Sequence, residues 1–515
     1  MNRELIGVET SNEPERPLPV DPRPVLLDPA ATSAPRDAPR GPRFVLPSRG
    51  EMVGFLGYLL AQVFCVVGLV TERYPDSYGY FHLSFSGKAE FPPTVPFVYA
   101  VFGTDALRVG VQCLLATVSW WLLAKVAANA VADRRVRIGL RAVLLFLGLA
   151  GPIVSWNTVI LSESIAISLS ALAVGAWLAF QQRPTWWRAL GAVAATEFWV
   201  LTKPTHLVIG ALIALVAVVH ALRHYRQVVV LAVALALVAL SALNTFTFGS
   251  NSNIDVGVLS DIIADRILVN PSYTSWFVQH GMPYSVAVAN GANGAYGTGL
   301  QQIPALESWM TSSGTSTYLR FMLEHPGYTL VAPLAGFSGE KASLHEVANP
   351  VYVGTEPNPT PSLLSPTADY GRYRQILPSV VEDFLFEQGQ IGNLLALAAG
   401  AIACAWLARK RGRDRRLLLP ILVAASAIPY GYLVWLAGGV GEVDRLSMVL
   451  AVLARIGLWL LLAYALDRLL SERSARRSVA TGRAVAEHDG VGHNGDAGNG
   501  ARWHSPASPL PATGA

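Results

Sequence analysis

Apolar runs of about twenty residues recur along this chain, and arginine clusters fill every second gap between them. A run of that length is what one α-helix needs to cross the hydrocarbon core of a bilayer. The spans read from the 515-residue sequence fall at about 51–71, 105–128, 138–155, 159–180, 187–202, 204–222, 227–247, 389–408, 417–437 and 446–467. Charged residues make up only 14% of the chain and hydrophobic ones 52%, whereas a soluble domain carries about 25% charged residues. The predicted fold class is an all-α polytopic membrane protein of about ten transmembrane helices.

The arginine bias orients it. Arg36, Arg40, Arg43 and Arg49 precede the first span; Arg134, Arg135 and Arg137 follow the second; Arg183 and Arg188 follow the fourth. Arg223 and Arg226 follow the sixth, Lys410 to Arg416 the eighth, and Arg468 to Arg477 the tenth. With ten spans all six clusters share one face, the cytoplasmic one, and both termini lie there. The expected location is a bacterial plasma membrane, on the Arg-over-Lys and Ala-rich composition. Residues 1–48 and 469–515 read as disordered tails, 49–248 as spans one to seven, 249–387 as an extracytoplasmic segment, and 388–468 as spans eight to ten. No apolar h-region follows Met1, so the first run is expected to remain as a helix rather than be cleaved.

The long extracytoplasmic segment does not read as a compact soluble domain. Residues 284–301 are rich in Gly, Ala and Asn and poor in charge, as a flexible loop would be. Thr317 to Glu324 has the pattern of an amphipathic helix stopped by Pro326, and Arg372 to Glu387 is a second helical candidate. A mostly helical cap on the bundle is expected. Trp156, Trp199 and Trp435 fall at the outer ends of spans, where interfacial Trp is expected. Cys65, Cys113 and Cys404 each sit in an apolar run and read as small buried hydrophobes. Leu510 to Gly514 spells a sortase-like pentapeptide, but neither an apolar span nor basic residues follow it.

Chemistry gathers on the extracytoplasmic side. The loop after the first span, Thr71 to Phe97, is dense in aromatic and ionisable residues. Its Asp76 lies beside aromatics and an apolar surface and can serve as a general base; the plainer reading is an Asp capping a Pro-Asp-Ser turn. Tyr78, His82 and Lys88 are further candidates in the same loop, for the acceptor. Glu163, near the outer end of the fourth span, is either an expensive buried acid facing a polar cavity or a helix-start Glu favoured by the macrodipole. Lys203, with His206, sits at a Lys-Pro hinge and either binds a phosphate or snorkels to the interface. Arg445 either clamps a phosphate or pairs locally with Glu442 or Asp444. The chain holds no HExxH, P-loop or GxSxG motif, and no cytoplasmic loop is long enough for a nucleotide-binding domain.

Together these residues resemble the GT-C superfamily of integral-membrane glycosyltransferases, of the protein-mannosyltransferase-like, polyprenyl-phosphate-sugar-dependent type. The likeness rests on an acid in the first outer loop (Asp76), the Pro-rich aromatic re-entry Phe91 to Tyr99, and Ser162-Glu163-Ser164 at the head of the fourth span. It rests also on the Lys203-Pro204 hinge, a large external segment late in the chain, and Asp444-Arg445 before the last span. The resemblance implies inverting transfer of a hexosyl or pentosyl group from a polyprenyl-phosphate donor to the hydroxyl of a glycan, lipid or protein acceptor. Asp76 and Glu163 would be catalytic, and Lys203, His206 and Arg445 would hold the donor phosphate. The loop has Asp76-Ser77 in place of a paired Asp-Glu, and a lone carboxylate is a poor divalent-cation site. No nucleic acid partner is implied; membrane lipids are. The competing readings are a lipid or glycan transporter or flippase, for which Glu197 inside the fifth span is the ionisable candidate, and a non-catalytic scaffold of envelope assembly.

Overall fold

Close helix packing in a bundle needs small residues where backbones approach, because lipid gives apolar faces no drive to meet. Two glycines meet that need here. The computed structural model describes residues 48–83, 91–206, 252–291, 298–334, 371–387, 418–438 and 440–491, with isolated positions at 398, 401, 402 and 405. Of residues 1–52, only the start of the first helix is described, where Ser48 caps through its hydroxyl oxygen, accepting from the Glu51 amide at 3.2 Å.

The bundle comprises α1 (Arg49–Val66), α3 (Asp105–Asn129), α4 (Arg134–Leu147), the bent continuation α5 (Gly151–Thr158), α6 (Glu163–Gln182) and α7 (Trp186–Val200); a short α2 (Thr94–Val101) precedes α3. Two more, α15 (Leu418–Ala437) and α16 (Val440–Val491), close it. Helix α3 packs on α6 and α4, α6 on α7, and α16 on α15, α6 and α4. A Cβ on Gly175 of α6 would stand 3.1 Å from the Leu123 Cα of α3, and one on Gly457 of α16 would stand 3.0 Å from the Ala424 nitrogen of α15. Both crossings depend on the missing side chain. Among the described residues five helices are long and apolar enough to cross a membrane, or six if α4 and α5, bent by 50°, count as one broken span. Helix α7, at 15 residues, is shorter than those five. The sequence expectations for 1–47, 207–247, 388–397 and 492–515, together with Lys88 and Cys404, lie outside the described residues.

Between the spans lies a second helical unit with its own core. It contains α8 (Ser252–Ile262), α9 (Pro271–Gln279), α10 (Val286–Gly291), α11 (Thr298–Gln301), α12 (Pro304–Trp309) and α13 (Thr315–Glu324). Phe277, Phe321, Leu306, Ile263 and Leu300 are completely buried in it. This corrects the reading of 286–291 and 298–301 as loop, and of the segment as lacking a compact core. Val288 and Leu300, spaced too sparsely to show a helical period, are inserted into that core. The unit docks on the end of α15: Tyr318 Oη donates to the Leu436 carbonyl at 2.8 Å, Tyr432 Oη donates to the Leu330 carbonyl at 2.8 Å, and Arg266 donates to the Trp435 carbonyl. These bonds satisfy carbonyls that a helix end leaves without an internal partner. A short α14 (Ser379–Glu382) and the wide turn Asp383–Glu387 follow, and the Phe386 carbonyl accepts from the buried Arg455 of α16.

Two other differences from the sequence reading are clear. Trp156, Trp199 and Trp435 are 0%, 2% and 3% exposed, so they pack inside the protein rather than face lipid headgroups. Helix α16 runs on to Val491, beyond the end read for the last span; its Ala-, Arg- and Glu-rich continuation is built of good helix formers.

Candidate functional site

The first loop is fastened over the start of α6. The Glu72 amide donates to the Thr158 carbonyl at 2.9 Å, and the Ile160 amide donates to the Glu72 carbonyl at 3.1 Å, forming a short parallel bridge between Glu72 and Val159. Pro75 opens a 3-10 turn, Pro75–Phe81, within which the Ser77 hydroxyl donates to the Ile160 carbonyl at 2.7 Å and accepts from the Tyr74 amide at 2.8 Å. Beneath it, Gln62 of α1, Gln112 of α3, Asn157 of α5 and Ser164 of α6 form a buried hydrogen-bond network; Ser164 Oγ donates to Asn157 Oδ1 at 2.6 Å. Buried polar groups satisfied in this way rigidify what they join. The turn that carries Asp76 and the helix start that carries Glu163 are therefore held to one frame.

Four charged side chains from four separate segments meet there. Lys203 Nζ donates to Glu163 Oε1 at 2.6 Å. Arg445 Nε lies 3.4 Å from the same Oε1, and Arg445 Nη1 donates to Asp76 Oδ2 at 2.7 Å. Side-chain exposure falls from 36% at Asp76 to 16% at Arg445, 7% at Lys203 and 1% at Glu163. The cluster is thus a ladder of alternating charge running inward from an accessible acid. Glu163 is the first residue of α6 and gains from the helix dipole, but its partners are cations brought from α7 and α16. Lys203 follows the end of α7 and is buried, so it does not snorkel. Arg445 reaches across the fold to Asp76 and Glu163.

His206 lies beside this cluster. Its Nδ1 is 2.9 Å from Thr202 Oγ1 and its Nε2 is 2.9 Å from the Tyr430 hydroxyl, so both ring nitrogens are engaged outside the charge ladder. Tyr78 is exposed at 59% and edges against Phe81 at 6.1 Å; His82 is exposed just past the turn. A residue the sequence reading passed over is Tyr80. It is 4% exposed and stacks on Phe91 at 4.0 Å. Burial pushes its phenol above the ordinary value, and the nearby Glu163 carboxylate pushes it further. Tyr80 therefore presents a proton-bearing hydroxyl. Its only sequence signal was a place in the same aromatic loop.

The described residues contain no group of three His, Cys, Asp or Glu side chains arranged to hold a metal ion. Both acids of the cluster face cations, so the residues present do not fit a divalent metal. What the arrangement offers is an accessible carboxylate against a guanidinium, with an ammonium further in across Glu163, a pairing suited to taking a proton while an anion is stabilised close by.

No protein-family model matches the sequence, nor does any curated protein. Two solved structures are similar to the chain in three dimensions. One is the archaeal oligosaccharyltransferase AglB from Archaeoglobus fulgidus in complex with an inhibitory peptide and a dolichol-phosphate, at 12% identity and a TM-score of 0.41, covering 84% of this chain and 52% of that one. The other is the Archaeoglobus fulgidus oligosaccharyltransferase in the apo form, also at 12% and 0.41, covering 83% and 52%. The chain spans about half the length of each.

Proposed function

We propose that this protein is a GT-C-type membrane glycosyltransferase that moves a sugar from a polyprenyl-phosphate donor to an extracytoplasmic acceptor hydroxyl. The observation that carries this reading is the ladder Asp76, Arg445, Glu163 and Lys203, which puts an accessible base against two cations at one end of the bundle. In the reaction the acceptor oxygen attacks the anomeric carbon and Asp76 takes its proton. The bond from that carbon to the donor phosphate breaks, and its electron pair leaves with the phosphate. Arg445, and behind it Lys203, stabilise the charge that develops there. Binding of the donor phosphate competes with Asp76 for Arg445, which frees the carboxylate when it is needed. Glu163 acts by fixing the two cations. His206 backs Lys203 through Thr202, and Tyr80 donates from the loop side. Tyr78 and His82 lie where an acceptor approaches. On the arginine bias, the ladder faces outward and both termini face the cytoplasm, with ten spans in all.

The test is transfer of radiolabelled sugar from polyprenyl phosphates in membranes carrying wild type or Asp76→Asn. Loss of transfer with protein level and folding retained is the expected result; full transfer by the variant refutes the assignment. A transporter remains the second reading, favoured by one observation: Glu197 of α7 is 6% exposed, and neither carboxylate oxygen has a hydrogen-bond partner among the described residues. A transporter would depend on Glu197→Gln more than on Asp76→Asn.

A further inference from the structure

The end of the bundle opposite the charge ladder holds a cavity of about 850 Å³, lined by Asn129, Arg137, Gln181, Arg183, Arg188 and Tyr464, among others. Helix length fixes its place. From Glu163 to Gln182 along α6, and from Arg445 to Tyr464 along α16, the rise is about 28 Å, close to the roughly 30 Å of a bilayer's hydrocarbon. The cavity and the ladder therefore sit at opposite membrane surfaces.

Its charge is one-sided. Three lining residues are arginines and none is acidic. The acids of the adjoining loop are occupied: Asp467 Oδ1 accepts from the Ala132 and Asp133 amides at 3.0 and 2.7 Å, and Asp133 caps α4 through the Arg135 and Val136 amides. Arg137 is committed to the Val131 and Ala132 carbonyls at 3.0 and 3.1 Å. Arg188 gives one N–H to the Ala179 carbonyl at 2.8 Å and makes no other side-chain hydrogen bond among the described residues, while Arg183 is exposed. Between those two stand Trp186 and Trp187, 53% and 59% exposed, with ring centroids 3.3 Å apart. Exposed indoles beside basic residues at the end of a helix mark the level of lipid headgroups. Unlike the three buried tryptophans around the ladder, this pair faces outward.

We infer that this cavity binds the phosphate of an anionic phospholipid headgroup, held by Arg183 and Arg188. A basic pocket between helices at headgroup depth is the arrangement that selects such lipids, and the volume suits a headgroup better than a bare phosphate. The test is native mass spectrometry of the full-length protein released from detergent after loading with phosphatidylglycerol or phosphatidylcholine. Phosphatidylglycerol is expected to be retained in preference. The Arg183→Gln/Arg188→Gln variant is expected to retain it roughly thirtyfold less, from about fivefold per basic residue. Arg183→Gln alone, at an exposed position, gives about fivefold less with circular dichroism unchanged, which keeps the test valid should the double variant misfold. Equal retention of the two lipids, or undiminished phosphatidylglycerol on the single variant, overturns the site. Displacement of phosphatidylglycerol by millimolar inorganic phosphate overturns the lipid assignment in favour of a free anion.

Discussion

Glu163→Gln is the perturbation that bears most directly on the charge ladder. The carboxylate is 1% exposed, accepts from Lys203 at 2.6 Å and lies 3.4 Å from Arg445. Gln keeps the shape and one acceptor oxygen but removes the charge. Arg445 retains Asp76 as a partner; Lys203, at 7% exposure, loses the carboxylate charge that stood 2.6 Å from its ammonium. Breaking a buried pair from one side costs about 3 to 5 kcal/mol, and the retained acceptor puts this variant near the lower figure. Replacing Lys203 by Met at the same time removes the other half of the contact, so the Glu163→Gln/Lys203→Met double variant is expected to recover at least ~1 kcal/mol relative to the sum of the two singles. The buried thiols of Cys65 and Cys113, each 1% exposed, supply the assay: they react with a maleimide dye only when the bundle opens, so thermal scans at one fixed heating rate rank the four proteins. If the single variants add within about 0.5 kcal/mol, the two groups are not coupled, and the ladder is not the unit described here.

Other outcomes follow from the same geometry. Arg445→Lys cannot reach Asp76 and Glu163 from two nitrogens at once; transfer is expected to fall about tenfold to a hundredfold, the worth of one charged hydrogen bond at roughly 1.5–3 kcal/mol, and unchanged transfer in the membrane assay refutes it. Tyr80→Phe removes a buried hydroxyl at about 1 kcal/mol. Because burial raises the Tyr80 pKa, its stabilising contribution is whole below the unfolded value near ~10 and is lost as pH rises beyond it; thiol-exposure scans from neutral to alkaline pH are expected to show wild type losing more stability than the variant. Gly175→Val forces α6 away from the Leu123 backbone of α3, at an expected cost of about 1–3 kcal/mol, read as a lower thiol-exposure midpoint.

Asp76, Glu163, Lys203 and Arg445 stand out in the sequence for one reason: ionisable residues are rare near apolar spans because burying them is costly. Their partnership is not legible, since Arg445 has acids at Glu442 and Asp444 beside it in the chain and only the packing of α16 on α6 brings it to Asp76. Tyr80 was missed because nothing local separates it from Tyr74 or Tyr78; only stacking on Phe91 distinguishes it. Helix patterns in 315–324 were legible because period and Pro stop agree, whereas the short helices Val286–Gly291 and Thr298–Gln301 contribute too few apolar positions for a period to show. Tryptophans at span ends carry the same signal whether they face lipid or a neighbouring helix, so Trp156, Trp199 and Trp435 misled.

The bridge between Glu72 and Val159 is made by main-chain atoms alone. Placement of the following turn thus rests on that bridge and on the buried Ser77 hydroxyl, and not on the side chains of its exposed rim. Mutation can redecorate the exposed rim around Tyr78 and His82 while the acid stays where it is; under the proposed function, a lineage carrying this scaffold could exchange one recipient molecule for another without rebuilding the site.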